Sequence, residues 1–340
     1  MTKHRNNIFL SGGKLLTQEA KLNVLSCFDG MSCLQIALDK LGIPVNKYFA
    51  SEIDKYAMQV TQANYPNTIQ VGNVEFVTKE MLNNEIHLLA GGSPCQGFSF
   101  AGKQLNFEDP RSKLFFEFVR LKNELKPKYF LLENVKMKKE YQDIISKYMG
   151  CEPIVINSAL VSAQNRVRLF WTNIPNIEQP KDKGILLKDI VEHGEPLRQK
   201  SQTILATIYK ENAKSMMKRK KTGLLVKEFN VNPSGKGMNG WVYSIDGKAP
   251  TVTTNKGEGS KIGFGKGYYR KLLPIECERL QTVPENYTNH VSNTQRYMML
   301  GNGWTVDVIK HILKGMSEKK EGEKILLRDD KHEPSSLAQA

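Results

Sequence analysis

The sequence predicts an α/β protein with a doubly wound, mostly parallel sheet. Along residues 21–176, short apolar segments alternate with segments whose apolar residues recur at helical spacing. Such alternation favours right-handed crossovers between parallel strands, and these sheets bind ligands at the carboxyl ends of their strands. The alternation stops after about Asn176 and helical spacing returns near Tyr269, so a second, smaller unit is expected between them.

The predicted strands and helices follow one another in a regular order. Each strand is short and apolar, as buried parallel strands are, and Pro66 ends the second helix. The strands span 23–28, 47–53, 68–74, 87–92 and 128–135, with a final pair in 152–162 and 166–174. The helices span 32–43, 55–65, 112–125, 140–150, 272–281 and 294–313, the last with a Gly-Asn-Gly break.

Charge is distributed unevenly along the chain. The formal net charge is +14, and residues 200–271 alone carry +11, from 15 Lys and Arg against 4 Asp and Glu. Concentrated positive charge suits a phosphate backbone, although a solvated basic surface would give the same count. The predicted boundaries are a polar lead-in at 1–20, a main domain at 21–176 and 268–316, a basic region at 177–267 and a flexible tail at 317–340.

Composition argues against several classes of protein. No segment reaches the roughly 20 apolar residues that span a membrane, and the N-terminus lacks a signal-peptide pattern. The cysteines form no CxxC pair, and no histidine is spaced with them as a zinc ligand. They are Cys27, Cys33, Cys95, Cys151 and Cys277. We therefore expect a reduced, cytoplasmic protein without a membrane or metal partner, and the oligomeric state stays open.

Cys95 differs from the other cysteines in its position. It follows the predicted strand 87–92 and opens a loop with two glycines and the basic residues Lys103 and Arg111. Cysteine is nucleophilic as the thiolate, which nearby cations and backbone N–H groups favour. A lone cysteine is more often structural, so this position alone leaves the two interpretations open.

Three ionisable residues accompany this thiol on neighbouring segments. Glu133 ends the predicted strand 128–135 at the same edge of the sheet, where a carboxyl group could protonate a ring nitrogen. Arg166 and Arg168 alternate with apolar residues, so both side chains point to one face of their strand. Each has an ordinary explanation, since strand-end glutamates are often surface residues and paired arginines usually bind carboxylates.

The turn CFDGMS suggests a cofactor site without a phosphate cradle. It follows the first strand and opens a helix, but it has one glycine, Gly30, where the dinucleotide-binding GxGxxG motif has three. Glu52 closes the second strand 22 residues later, a distance that suits a carboxylate binding a ribose diol. A nucleoside cofactor such as S-adenosylmethionine would need both features, whereas an ordinary turn with a solvated glutamate would need neither.

Taken together, the segments FDGMS, GGSPCQGFS, ENV and QNRVR resemble the DNA (cytosine-5) methyltransferases, over about residues 21–313. RKLLPIECERLQTVPENY and LGNGWTVDVI are similar to later segments of that family. DPRSKLFFEFVRL, LKDIVEHG and LGNGWTVDVIKHIL look especially similar to the animal de novo DNA methyltransferases. The resemblance implies the S-adenosylmethionine-dependent methyltransferase fold, with residues 177–267 as a small basic target-recognition domain.

The resemblance also implies a mechanism. A Cys95 thiolate would add to carbon 6 of cytosine while Glu133 assists at N3, and carbon 5 would then take the methyl group of S-adenosylmethionine. Arg168 would lie near the base O2 and Arg166 would orient Glu133. The product would be S-adenosylhomocysteine. Because the target carbon is stacked inside double-stranded DNA, the cytosine must be flipped out of the helix.

Cofactor and DNA contacts follow from the same resemblance. The cofactor residues would be Phe28, Asp29, Gly30 and Met31 for the methionine half, Glu52 for the ribose, Ile53 and Asn73 for the adenine, and Asn302 and Trp304 for the closing segment. Asn73 replaces the aspartate frequent in the family, so we expect weaker cofactor binding. The candidate DNA contacts are Gln96, Ser99, Lys103, Arg219, Lys220, Lys221 and Lys236.

Two other functions remain open at this point. A tRNA cytosine-5 methyltransferase would use the same PCQ and ENV chemistry, and a catalytically inactive DNA-binding regulator would keep the same fold. The presence of all four residues implied in the chemistry favours an enzyme over an inactive regulator; these are Cys95, Glu133, Arg166 and Arg168. The basic region favours DNA over tRNA as the substrate. The target sequence, any preference for hemimethylated sites and the biological context, such as restriction-modification, cannot be derived from the residues.

Overall fold

The computed structural model describes residues 21–93, 110–192, 227–231, 240–252, 261–263 and 269–316. The strands in these ranges are β1 (Leu22–Cys27), β2 (Val45–Ser51), β3 (Ile69–Gln70), β4 (Leu88–Gly91), β5 (Tyr129–Val135), β6 (Ile154–Asn157), β7 (Gln164–Asn165), β8 (Val167–Thr172), β9 (Lys227–Asn230), β10 (Trp241–Ser244), β11 (Ala249–Pro250), β12 (Lys261–Gly263) and β13 (Tyr269–Lys271). The helices are α1 (Cys33–Leu41), α2 (Lys55–Asn64), α3 (Lys79–Leu82), α4 (Pro110–Leu125), α5 (Lys139–Met149), α6 (Pro274–Leu280), α7 (Asn293–Asn302) and α8 (Val306–Leu313).

Seven strands form the main sheet, in the order β3-β2-β1-β4-β5-β8-β6. The first five strands in this order pair in parallel. Only β8 runs antiparallel, against both β5 and β6. The predicted doubly wound, mostly parallel sheet is confirmed.

Apolar side chains are buried on both faces of this sheet. Alternate residues of a strand point to opposite faces, so Val24 and Leu25 of β1 enter different hydrophobic clusters. Helices α1 and α8 cover one face, and α4 and α5 cover the other. The helices hold the sheet rigid and leave its carboxyl edge for the turns that carry the site.

Local signals account for several helix ends. The Asp54 side chain caps α2 by accepting a hydrogen bond from the Tyr56 backbone N–H at 2.9 Å. Gly42 and Gly150 follow α1 and α5 at φ of +67° and +77°, where glycine carries no Cβ penalty. These positions agree with the predicted helices to within a few residues.

A second, four-stranded sheet has the order β13-β12-β10-β9, and β11 pairs separately with β7. Tyr243 and Ile262 of this sheet are buried in the same cluster as one face of the main sheet. Lys248 is 3% exposed, and its ammonium group donates hydrogen bonds to the carbonyls of Ala159 and Ile185, both at 2.7 Å. The described parts of the basic region therefore pack against the main domain, while the boundaries 177–267 stay a prediction.

Two predicted strands are shorter than expected. The segment 68–74 forms only Ile69–Gln70, because Asn73 caps a 3-10 turn at Val74–Phe76. The segment 152–162 forms Ile154–Asn157 and then a second 3-10 turn. The predicted lead-in 1–20 and tail 317–340 lie outside the described residues.

The part of the chain that the structure describes has neither a membrane-spanning helix nor a cluster of metal-binding side chains. None of its helices combines the length and apolar character required to cross a bilayer. The same ranges contain no group of three or more His, Cys, Asp or Glu side chains that could hold a metal ion.

Candidate active site

The candidate site lies at the carboxyl edge of the main sheet. The register places Cys27 beside Gly91 and Ser51, and Gly91 beside Leu132. The residues one step further along each strand therefore meet at this edge, as parallel strands require. They are Phe28, Glu52, Gly92 and Glu133.

Glu133 is held by two donors from different parts of the chain. Glu133 is buried, with 8% of its surface exposed. The Arg168 Nε atom lies 2.9 Å from Glu133 Oε1, and the Trp304 indole Nε1–H donates to Oε2 at 3.0 Å. A charged and a neutral donor together fix both oxygens, so the carboxyl group has a defined orientation at the sheet edge.

Arg166 makes a different set of contacts from the one expected. It is 3% exposed and donates to the backbone carbonyls of Val252, Gly301 and Gly303 at 3.4, 3.2 and 2.9 Å. We expected Arg166 to orient Glu133, but the structure shows that contact for Arg168. Arg166 instead ties the end of α7 to the segment after β11, because its guanidinium donates to backbone carbonyls of both.

Asn134 connects the end of β5 to the segment that leads toward Cys95. Its amide Nδ2 donates to the Ser93 hydroxyl at 3.3 Å and to the Ser93 carbonyl at 3.4 Å. Its Oδ1 accepts from the Val135 backbone N–H at 2.8 Å. Ser93 is buried and precedes Cys95 by two residues in the sequence, so Asn134 fixes the start of the predicted nucleophilic loop.

The turn after β1 has an unusual backbone. Phe28, Gly30 and Ser32 all have φ between +56° and +59°. For residues other than glycine this left-handed conformation costs free energy, and it recurs at active sites as well as in tight turns. Glu52 stabilises the turn, because its Oε2 accepts from the Gly30 backbone N–H at 2.7 Å.

Two apolar side chains that follow Glu52 and Asn73 in the sequence are exposed. Ile53 follows Glu52 directly and is 74% exposed, and Phe76, the last residue of the turn that Asn73 caps, is 73% exposed. A half-buried carboxylate followed by an exposed apolar side chain suits a nucleoside, whose ribose is polar and whose base presents flat apolar faces. The residues therefore fit the expected cofactor, S-adenosylmethionine.

Three other expected cofactor residues have their side chains engaged within the protein. The Asp29 carboxylate is buried and accepts hydrogen bonds from the hydroxyls of Tyr48, at 2.7 Å, and Ser32. Met31 is 1% exposed and lies in the core. Asn73 Oδ1 accepts from the Glu75 backbone N–H at 3.1 Å, whereas Asn302 is exposed at the end of α7.

A family model described as C-5 cytosine-specific DNA methylase matches residues 22–318, most of the chain. The chain belongs to the C-5 cytosine-specific DNA methylase family. The sequence motifs indicated the same family, and the observed fold agrees with it.

Individual relatives agree with this assignment. The chain is 33% identical to the orphan methyltransferase M.SPRI of Bacillus phage SPR in an alignment of 290 positions. The match covers 71% of this chain and 66% of that protein, just under two thirds of its length. It is 29% identical to the type II methyltransferase M.HhaI of Haemophilus parahaemolyticus over 320 residues, 86% of this chain and 93% of that protein. The finer likeness to the animal de novo enzymes is not supported by these comparisons.

A solved structure of a Spodoptera frugiperda DNMT2 mutant also resembles the chain. The TM-score is 0.59 at 21% identity, and the match covers 88% of this chain and 100% of that chain. At this identity the likeness supports the fold alone.

Several residues expected to act in this DNA methylase lie outside the described residues. Positions 94–109 contain Cys95, Gln96, Ser99 and Lys103, and positions 193–226 and 232–239 contain Arg219, Lys220, Lys221 and Lys236. Their roles stay predictions. The described part of the site contains Glu133, Arg166 and Arg168 and the residues expected to bind the cofactor.

Sequence reasoning did not single out the exposed Phe76 and did not predict the contact between Trp304 and Glu133. Phe76 follows Asn73 by three residues, and an aromatic residue at the end of the polar turn VGNVEF could have signalled an exposed contact surface. Trp304 was expected to close the cofactor pocket, whereas the structure joins its indole to Glu133. No local pattern could have indicated that contact, since 171 positions separate the two residues.

Proposed function

We propose that this family member methylates carbon 5 of a flipped-out cytosine in double-stranded DNA through a transient Cys95 adduct. The observation that carries the proposal is Glu133, which Arg168 and Trp304 hold at the sheet edge beside the segment leading to Cys95. M.SPRI and M.HhaI are named as methyltransferases, and the matched family is cytosine-specific. The proposal therefore combines the reaction of the family, methylation of cytosine at carbon 5, with a site in which Glu133 and Arg168 are held together.

The protein groups divide the chemistry among them. Cytosine carbon 5 is a weak nucleophile, and addition of the Cys95 thiolate at carbon 6 makes it an enamine carbon that can attack an electrophile. Glu133 assists by hydrogen-bonding or protonating N3, and Arg168 holds the carboxyl in place. After methyl transfer, loss of the carbon-5 proton to a base or water expels the thiolate and restores the ring.

S-adenosylmethionine, when bound, supplies a methyl group activated by its sulfonium charge. Glu52 would bind the ribose, because Gly30, Ile53 and Asp54 fix its carboxylate while leaving an acceptor position open. Phe76, with Ile53, would cover the adenine faces. Phe28 and Trp304 would border the methionine half, where the turn after β1 meets the segment after α7.

Duplex DNA is the proposed substrate because the matched family is described as a DNA methylase. The stacked cytosine of a duplex must then be flipped out to be reached. The basic charge of residues 200–271 supports contact with phosphates. The four-stranded sheet, which belongs to this region, packs against the domain that carries Glu133. DNA bound to this sheet would therefore contact the same domain as the catalytic residues.

Transfer of labelled methyl groups from S-adenosylmethionine tests the proposal. We expect incorporation into mixed-sequence duplex DNA, none with the Cys95→Ser variant, and methylcytosines at one recurring sequence in bisulfite sequencing of DNA from expressing cells. A duplex carrying 5-fluorocytosine at that site should trap the protein covalently at Cys95. Incorporation into tRNA in preference to DNA would instead identify an RNA enzyme, and binding without transfer would identify an inactive regulator.

A further inference from the structure

The environment of Glu133 contains a donor that the expected mechanism does not use. Glu133 Oε1 pairs with Arg168 Nε at 2.9 Å, as a neighbour on the adjacent strand can. Oε2 accepts the Trp304 indole N–H at 3.0 Å. Trp304 lies between α7 and α8, so one oxygen of the carboxyl group depends on a segment far away in the sequence.

The backbone around Trp304 is fixed on both sides. The Gly303 carbonyl accepts hydrogen bonds from Arg166 at 2.9 Å and from Gln281 at 3.2 Å. The Thr305 hydroxyl donates to Gln281 Oε1 at 2.8 Å, and the Cys33 sulfur accepts from the Trp304 backbone N–H. An indole on such a support can act as a stationary donor, because its position does not depend on a flexible loop.

The packing against Gly92 shows how closely the two side chains are confined. A Cβ at Gly92 would lie 2.9 Å from Glu133 Oε2 and 3.0 Å from Trp304 Nε1. Any residue with a side chain would therefore press on the hydrogen bond itself. The absence of a side chain at Gly92 therefore keeps the carboxyl and the indole together.

We propose that Trp304 is a positioning residue for Glu133. Through Trp304, the segment between α7 and α8 sets the orientation of the Glu133 carboxyl group toward the target cytosine. The inference rests on the proposed function and adds a role for a residue expected to serve the cofactor alone. Arg166 supports the arrangement indirectly, since it holds the Gly301 and Gly303 carbonyls that flank the exposed Asn302. Arg166 would then orient Glu133 through Trp304.

The first test is Trp304→Phe, which keeps an aromatic ring and removes the donor. At saturating S-adenosylmethionine, the single-turnover rate of methyl transfer should fall about 10- to 100-fold, the effect of one hydrogen bond to a charged group. The dissociation constant of S-adenosylmethionine, measured by calorimetry, should change less than about twofold because Phe preserves most of the contact area. A weakened cofactor complex with an unchanged saturated rate would overturn the inference.

The second test asks whether the loss acts through Glu133. In the Glu133→Ala background, which leaves the indole N–H no side-chain acceptor at position 133 and whose slow transfer is followed over hours with excess enzyme, Trp304→Phe should cost less than about threefold more. An equal loss in both backgrounds would show that Trp304 acts elsewhere. Benzothienylalanine at position 304 replaces only the N–H by sulfur, so it should reproduce the Phe effect, and a wild-type rate with it would refute the role.

The matched control is Trp171→Phe. Trp171 is fully buried, and its indole N–H donates to the Ser146 hydroxyl at 3.0 Å, on the side of the sheet that α5 covers. This variant should lose thermal stability and keep the wild-type single-turnover rate. A wild-type protein without transfer to any duplex would refute the proposed function itself, and this result differs from every outcome that bears on Trp304 alone.

Discussion

The Glu52 carboxylate accepts a hydrogen bond from the Gly30 backbone N–H at 2.7 Å, across the turns that follow β1 and β2. Its other oxygen accepts from the backbone N–H groups of Ile53 and Asp54 at 2.7 and 2.8 Å. One side chain therefore closes two adjacent turns. This bracing stabilises the left-handed conformation at Phe28, which on its own costs about 1–2 kcal/mol.

Glu52→Gln should weaken both the turns and the cofactor site. Glutamine keeps one carbonyl oxygen, and its amide NH₂ would face at least one backbone donor. We expect the dissociation constant of S-adenosylmethionine to rise at least about 10-fold, since a hydrogen bond to a charged group contributes about 1.5–3 kcal/mol. Calorimetry measures it. Glu124→Gln, which breaks an exposed ion pair with Arg120, is the control and should bind like wild type.

The main sheet could be predicted because its elements depend on local patterns. Buried parallel strands are apolar throughout, and α1 and α5 show helical spacing followed by glycine. The approach of Glu52 and Glu133 to one edge also follows from topology, since parallel strands end together. These expectations needed no knowledge of side-chain packing.

The partners of those side chains could not be predicted in the same way. Trp304 reaches Glu133 across 171 positions, and Arg166 reaches Gly303 across 137, so both contacts depend on how α7 packs against the sheet. The motif QNRVR predicts two arginines on one face of a strand, but it does not indicate which of them meets the carboxylate. The sequence shows that residue 73 is an asparagine with a side-chain amide. Only the fold shows that the oxygen of this amide caps a turn.

Phe76→Ala tests the proposed contact of Phe76 with the adenine of S-adenosylmethionine. The side chain is 73% exposed, so its removal should change the free energy of unfolding by less than about 0.5 kcal/mol. It should raise the dissociation constant of S-adenosylmethionine about 5- to 10-fold, because an aromatic contact with adenine contributes about 1 kcal/mol. Met81→Ala, 53% exposed, is the control for surface truncation. Unchanged binding by Phe76→Ala would place the adenine elsewhere.

Asp29 should give the protein a specific dependence of stability on pH. Burial raises the pKa of Asp29 to about 6, partly offset by hydrogen bonds from Ser26, Ser32 and Tyr48. Between about pH 4 and pH 6 the folded protein keeps a proton that the unfolded chain has lost. The contribution of Asp29 to the free energy of unfolding therefore falls by about 3 kcal/mol as pH rises through this range, and is constant above it.

Urea unfolding of wild type and Asp29→Asn from pH 4 to 7.5 isolates this contribution, because the other titrating groups cancel in the difference. The variant should gain stability relative to wild type as pH rises toward 6, and the difference should then level off. A difference that is independent of pH would contradict the raised pKa. Tyr48→Phe, which removes one donor to Asp29, should move the midpoint to higher pH.

Gly92→Ala should damage the site more than the fold. The new Cβ would lie 2.9 Å from Glu133 Oε2 and 3.0 Å from Trp304 Nε1, so the carboxyl and the indole must separate. Overpacking of this kind costs about 1–3 kcal/mol of stability, and displacement of Glu133 should lower the single-turnover rate at least about 10-fold. Single-turnover methyl transfer and urea unfolding measure the two effects.

Gly150→Ala separates a loss of stability from a loss of geometry. Gly150 follows α5 at φ of +77° with open space around it, so alanine there is strained but contacts nothing. It should cost about 1 kcal/mol of stability and leave the transfer rate unchanged. If Gly92→Ala lost no more activity than this variant at equal stability, the confinement of Glu133 would not matter for catalysis. A larger loss at Gly92 shows that the reaction requires the carboxyl group to stay where Arg168 and Trp304 hold it.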